Sequence, residues 1–409
     1  MAMPDGPKLD ESAREGSPRE VFFAFLKLGV SCFGGPIAHL GYFRDEFVAR
    51  RQWLKEETYA DLVALAQFLP GPASSQVGFS IGLIRAGWRG AFSAFLGFTL
   101  PSALIMLAFA YGASAISGRL AEGLLHGLRL VAVAIVAQAV ISMARTLCPD
   151  RIRTAIAVVV TLIILASGSS VAQIGAIALG GIAGLLFCQG EAQLVGDHLP
   201  VPVSRRAGIV LLALYIMLLI GLPLLNHLMA SPAFALFNSF YRSGALVFGG
   251  GHVVLPLLRQ AVVVPGWVSD QTFLDGYGAA QALPGPLFTF AAYLGAIVKG
   301  PPSGILGATI ALTAIFLPGL LAISGTLPFW DQFRRQPRAQ AVMRGINASV
   351  VGLLGAALYH PLWTTSVKTN GDFGLALIGF VLLTKGNMPP ILVVIVSAIG
   401  GIVLALLNL

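Results

Sequence analysis

Charge is what this sequence has least of. Only 11% of its 409 residues are Asp, Glu, Lys or Arg, against about a quarter in a soluble domain. Hydrophobic residues make up 56%, and mean hydropathy is +0.83. No fold keeps that much apolar surface from water, so the solvent must be a bilayer. Cysteine is nearly absent. Cys32, Cys148 and Cys188 stand far apart, which leaves no disulfide framework and no metal-ligand spacing. Neither G-x-x-x-x-G-K-S/T nor H-E-x-x-H occurs, which argues against ATP hydrolysis and zinc hydrolysis. One G-x-S-x-G string, centred on Ser80, lies in an apolar segment, not in the strand–turn–helix that a nucleophile elbow needs. The expectation is a protein that is not an enzyme and holds no metal or cofactor. Residues 1–19 lack the apolar run of a signal peptide and read as a cytoplasmic tail. The net charge of +8 does not point to nucleic acid, because the basic residues sit in short loops between apolar runs, where they orient membrane proteins.

Glycine (48) and proline (24) are plentiful and scattered through the apolar runs, as in closely packed, broken membrane helices. The chain is also written twice. Phe25-Leu-Lys-Leu-Gly-Val-Ser-Cys-Phe-Gly-Gly35 is echoed by Phe240-Tyr-Arg-Ser-Gly-Ala-Leu-Val-Phe-Gly-Gly250. Arg44, Trp53 and Asp61 match Arg259, Trp267 and Asp275, and Gln67-Phe-Leu-Pro-Gly-Pro72 matches Gln281-Ala-Leu-Pro-Gly-Pro286. Farther on, Thr99-Leu-Pro101 resembles Phe316-Leu-Pro318, and His126 aligns with Arg344. Matches in one order at a nearly fixed spacing define two homologous units. We assign 20–189 to the first repeat, 190–232 to a linker with a connecting transmembrane helix, and 233–409 to the second repeat.

Long apolar segments lie near 89–114, 122–146, 152–168, 171–189, 207–229, 303–327, 341–360, 372–385 and 389–408. The segments 20–42, 58–85, 234–258 and 271–299 are apolar too, but Gly-Gly or Pro-Gly-Pro interrupts them. A helix does not run through Pro-Gly-Pro without losing hydrogen bonds, so broken or re-entrant helices are expected there. If the first two enter and leave on the cytoplasmic side, the basic clusters at 44–55, 85–89, 145–153 and 205–206 all fall inside. The loop 259–270 has one basic residue where its twin has four, and Arg334, Arg335 and Arg338 fill the loop whose twin holds only Arg119. Basic residues that change loops between copies predict opposite orientations. The fold expected is an all-α polytopic membrane protein of two inverted-topology repeats.

Non-helical backbone at membrane depth needs protein or a wet cavity around it, so the breaks mark the candidate site. After the first Pro-Gly-Pro, the N–H groups opening a half-helix, with Ser74, Ser75 and Gln76, favour an anion. The twin offers Thr289. Gly34, Gly35, Gly71, Gly249, Gly250 and Gly285 let the backbone turn or approach closely. Lys27 and Arg242, at equivalent positions, either supply positive charge or snorkel to the interface. Arg44, Arg85 and Arg259 are candidates for attraction or gating. Asp61 and Asp275 either bind protons or pair with Arg44 and Arg259. His39 and His252 are packing residues or proton relays. A cation site would want converging carboxylates, and these segments offer few.

The motifs Phe33-Gly-Gly-Pro-Ile-Ala-His-Leu-Gly41, Trp53, Gln67-Phe-Leu-Pro-Gly-Pro-Ala-Ser-Ser-Gln76 and Gly97-Phe-Thr-Leu-Pro-Ser102 resemble the chromate ion transporter family. Phe248-Gly-Gly-Gly-His252 and Gln281-Ala-Leu-Pro-Gly-Pro286 extend the resemblance over roughly 20–365. Long-chain members of that family are two homologous halves in one polypeptide. The resemblance implies secondary transport of chromate, a tetrahedral dianion close to sulfate, out of the cytoplasm on a proton gradient or the membrane potential. It implies an inner (plasma) membrane location with the N-terminus cytoplasmic. Transport of sulfate or another oxyanion, an anion channel, and a homodimer stay open.

Overall fold

The computed structural model describes residues 16–33, 35–115, 118–167, 170–189, 202–226, 228–229, 231–248, 251–300, 302–333, 336–386 and 388–407. The candidate residues Gly34, Gly249 and Gly250, with most of the tail and residues 190–201 of the linker, lie outside them. Among the described residues the chain is helical, with no strand. The first repeat comprises α1 (Pro18–Ser31), α2 (Gly35–Arg44), α3 (Glu56–Phe68), α4 (Ala73–Ala115), α5 (Arg119–Leu147), α6 (Arg151–Ser167) and α7 (Ser170–Phe187). The connecting helix is α8 (Arg205–Asn226). The second repeat follows with α9 (Pro232–Ala245), α10 (Val254–Val262), α11 (Asp270–Gln281), α12 (Phe290–Ile297) and α13 (Gly304–Thr326). It ends with α14 (Trp330–Phe333), α15 (Pro337–Ala357), α16 (Thr364–Ser366), α17 (Asn370–Thr384) and α18 (Pro390–Leu407).

Equivalent helices start by the same local chemistry. Ser17 caps α1 by accepting the Glu20 N–H at 3.1 Å, and Ser231 caps α9 by accepting the Phe234 N–H at 3.5 Å. Proline follows each cap, where its missing N–H costs nothing. Helix α4 is two arms, because Ala86 and Gly87 (φ 63°) are not helical. The second repeat breaks at the same place, between α12 and α13, where Gly300 has φ 83°. At both breaks a glycine pair lets the arms touch. A Cβ on Gly82 would lie 2.4 Å from the Gly90 carbonyl, and one on Gly295 would lie 2.2 Å from the Gly307 carbonyl.

Six helical stretches are long and apolar enough to cross a membrane: α4, α5, α8, α13, α15 with the turns after it, and α18. Of the other expected crossings, α6 and α17 have 17 and 15 residues, and 172–187 of α7 is a shorter apolar helix. Helices α1 and α3, with 14 and 13 residues, reach about 20 Å at 1.5 Å per residue, short of the roughly 30 Å of hydrocarbon. The hairpins they open start and finish at one end. Arg85, closing the first arm of α4, lies 3.6 Å from Glu20 at the start of α1, and Arg51, beyond α2, lies 3.8 Å from it. Both guanidinium groups stand 5.2 Å from the Trp53 ring. The first repeat thus opens with two helical hairpins sharing a base. In the second, the Lys299 N–H after α12 donates to the Trp267 carbonyl at 3.1 Å, closing the same base.

The repeats run in opposite directions. Equivalent helices α4 and α13 pack antiparallel: Tyr111 reaches Gly304, while Phe95 stacks edge-on against Phe316 at 5.1 Å. The later helices are exchanged between repeats. Gly123 and Gly127 of α5 lie against Gly401 and Ser397 of α18, and Gly180 and Gly184 of α7 lie against Gly345 and Ala341 of α15. Small residues allow such backbone contact, which is how helices adhere where lipid removes the hydrophobic drive.

Candidate functional site at the hairpin tips

The hairpin tips of the two repeats meet at the centre, and each is held by the other. The Gly71 N–H donates to the Val247 carbonyl at 2.7 Å, and the Gly285 N–H donates to the Cys32 carbonyl at 2.9 Å. Val247 and Cys32 follow α9 and α1 at equivalent positions, so one contact is made twice. Both glycines have left-handed backbones, φ 120° and 92°, which a Cβ disfavours. There is no room for one either. It would lie 2.7 Å from Gly319 Cα at Gly71, and 2.9 Å from Ser102 Oγ at Gly285.

The polar residues expected at the site gather around these turns. Ser74, Ser75 and Gln76 open α4 and are buried, as are Thr289 and His39. The His39 ring nitrogen Nδ1 lies 3.4 Å from Ser74 Oγ. Gln76 spends its amide N–H on the Pro70 carbonyl at 2.8 Å and the Gly319 carbonyl at 3.0 Å, pinning its own turn to the other repeat. Thr289 donates to the Pro286 carbonyl at 2.8 Å. Ser75 Oγ is buried with no hydrogen-bond partner among the described residues, a donor left over where polar atoms are normally satisfied. Across the interface, a Cβ added to Gly35 (φ 79°) would come 4.0 Å from His252 Nε2, and His252 Nδ1 lies 2.9 Å from the Tyr277 hydroxyl. Ser80 donates to the Gln76 carbonyl inside its helix at 2.9 Å.

The charged candidates lie away from the tips. Arg44 pairs with Glu56 at 2.7 Å, and its equivalent Arg259 grips Asp270 at 2.8 and 3.1 Å. Asp275 is therefore not the partner of Arg259. It pairs with Arg129 of α5 at 2.9 Å, because α11 lies flush on α5, with Gly278 against the Leu128 carbonyl. Asp61 is buried in α3. Lys27 stands 3.5 Å from Glu46, which also takes Arg50 and Arg51 at 2.8 and 2.7 Å. Burial alone would raise the Glu46 carboxyl, but the two guanidinium groups outweigh it and hold it below the ordinary carboxylate range. Arg242 has no carboxylate partner among the described residues. No group of three or more His, Cys, Asp or Glu among the described residues could hold a metal ion.

Sequence reasoning missed three elements of this arrangement. The acceptors for Gly71 and Gly285 are backbone carbonyls, which no side chain announces. Gly319 and Ser102 are legible only as the residues after the matched Pro318 and Pro101. Arg129 is an ionisable residue in an apolar span, but nothing in the sequence ties it to Asp275.

Two interlocked, oppositely running repeats with several apolar membrane-length helices define a multi-pass membrane protein with a polar centre. The chain belongs to the chromate transporter family, whose sequence pattern matches residues 19–185 and 234–402, one stretch in each repeat. It is 28% identical to a probable chromate transport protein of Synechococcus elongatus, covering 93% of each chain. It is 27% identical to the chromate transport protein of Pseudomonas aeruginosa, covering 93% of this chain and 91% of that one. An uncharacterized transporter of Methanocaldococcus jannaschii is 28% identical over 96% of each chain. No solved structure matches.

Proposed function

We propose that this protein is a secondary transporter that exports chromate from the cytoplasm, driven by the proton gradient or the membrane potential. The observation that carries the proposal is the interlocked pair of Pro-Gly-Pro turns, with the free Ser75 hydroxyl beside them. The substrate sits between the turns. Ser74, Ser75, Gln76, Thr289 and nearby backbone N–H groups bind it, and Lys27, Arg44, Arg85, Arg242 and Arg259 provide attraction or gating charge from outside the tips. Helix N-termini and hydroxyls suit an oxyanion. The hairpins re-enter the bilayer without crossing it, and the units 20–189 and 233–409 rock against each other around the centre. The tail 1–19 is cytoplasmic, the segment 190–232 connects the units, and the membrane is the inner (plasma) membrane. Export of a dianion from a negative interior is downhill, since each charge moved through 100 mV is worth about 2.3 kcal/mol.

The test is chromate uptake into inside-out vesicles, with and without excess sulfate and with the proton gradient collapsed. Concentrative, protein-dependent uptake is expected. Inhibition by sulfate would extend the specificity to oxyanions in general, and loss on collapse would identify the driving force. Uptake no greater than in empty vesicles, from folded protein, would sink the assignment.

A further inference from the structure

Two adjoining cavities lie beside the second pair of hairpins, away from the tips. One, of about 480 Å³, is lined by the ends of α6 and α7, the side of α10, and the end of α15 with the turn after it. The other, of about 160 Å³, lies between α7, α9 and α10. Gln173 and Gln260 line both, so the two form one vestibule walled by both repeats. At about 30 Å³ per water, it has room for a small ion with part of its hydration shell.

The lining is one-sided in charge. Arg259 faces the larger cavity and Arg242 the smaller, and no carboxylate among the described residues lines either. Arg259 is already neutralised by Asp270, whereas Arg242 has no acidic partner among the described residues. Gln173, which lines both cavities, is buried. A third cavity, of about 400 Å³, is different. It is lined by Glu122, His126 and Arg129, and the latter two are held by Asp372 and Asp275. Mixed, internally paired charge of that kind does not select an anion. The wall of the vestibule also ends beside the centre, because Leu246, which lines the smaller cavity, precedes Val247 in the chain. The Arg242 carbonyl accepts the Leu246 N–H, closing α9, and the carbonyl of Val247, the residue after Leu246, holds the Gly71 turn.

We propose that this vestibule is an access subsite for a tetrahedral oxyanion, distinct from the tips. Arg242 supplies its uncompensated charge, and Gln173 and Gln260 supply the N–H donors that select the ion before it reaches the turns. The inference rests on the oxyanion-transport reading above.

The experiment measures initial chromate flux against concentration, at low and high sodium chloride. It uses the full chain in vesicles of phosphatidylethanolamine and phosphatidylglycerol. The variants are Arg242→Gln, Arg242→Lys and the pair Gln173→Leu with Gln260→Leu. Arg242→Gln and the double glutamine variant are each expected to raise the half-saturation concentration about tenfold, the worth of one charge-assisted hydrogen bond. The maximal rate stays near wild type. Arg242→Lys keeps most of the affinity, and the salt dependence of half-saturation flattens only when the charge is lost. The subsite is overturned if variants that elute like wild type keep their half-saturation, or lose maximal rate alone. Should Arg242→Gln not fold, the glutamine pair decides by the same criterion. Absence of flux in the wild type would instead overturn the transport reading, and the vestibule with it.

Discussion

The hairpins of the first repeat and those of the second share a sequence pattern and keep different company. In the first, Phe25, Phe43, Phe47 and Trp53 stack on one another, with Phe25 and Phe47 4.7 Å apart and Phe47 and Trp53 4.9 Å apart. Their cluster is built mainly from their own repeat, and α3 packs on α2 and α4. In the second, Phe273, Tyr277 and Phe290 belong to a cluster that also takes Ala132, Val136, Val350 and Leu354 from α5 and α15. Helix α11 leans across onto α5 and α18, and Phe109 of the first repeat meets Tyr293 at 5.5 Å. The first pair of hairpins packs mainly within its own repeat, and its twin is also docked on α5 of the other. The two packings of one pattern are joined at equivalent tips.

The largest effect is expected where the repeats are alike. Gly71→Val and Gly285→Val each force a Cβ into a left-handed turn with no space beside it, at about 3 kcal/mol or more. Both are expected to abolish transport and to lower the thermal unfolding midpoint by similar amounts. A marked inequality between them would break the symmetry of the interlock. The docked contact is tested next. Arg129→Gln and Asp275→Asn should each be strongly destabilising, because each strands a partly buried charge. Together they should cost less than their sum by about 1.5–3 kcal/mol, whereas strict additivity in a double-mutant cycle would show that the pair does not hold α11 to α5. The smallest effect separates the equivalent base pairs. Arg259→Gln is expected to cost about 1–2 kcal/mol, since Arg259 grips Asp270 with two hydrogen bonds and is only 19% exposed. Arg44→Gln should leave the unfolding midpoint unchanged, because Arg44 and Glu56 are 55% and 50% exposed. Equal losses would mean that the two bases are buried alike in the bilayer.

The repeat, its register and the reversal of direction were legible because each leaves a trace in residue identity: matched motifs, matched glycines and basic residues that change loops. The positions of Ser74, Ser75 and Thr289 followed from Pro-Gly-Pro in the same way. What could not be read was who pairs with whom across the repeats. Asp275 has an arginine nearer in sequence at 259 than at 129, and only the lean of α11 onto α5 decides between them. That lean differs between the twins although their patterns do not, so it arises from the packing of whole helices and not from any local string.

The reciprocal hydrogen bonds at the tips also set an order of assembly. When the first repeat has left the ribosome and the second has not, the Gly71 N–H lacks its Val247 acceptor and the Cys32 carbonyl lacks its Gly285 donor. Hydrocarbon does not tolerate bare backbone groups, so the newborn first half keeps its turns wet or chaperoned until its twin arrives. Biogenesis of this protein is therefore a single late commitment, in which each half completes the other.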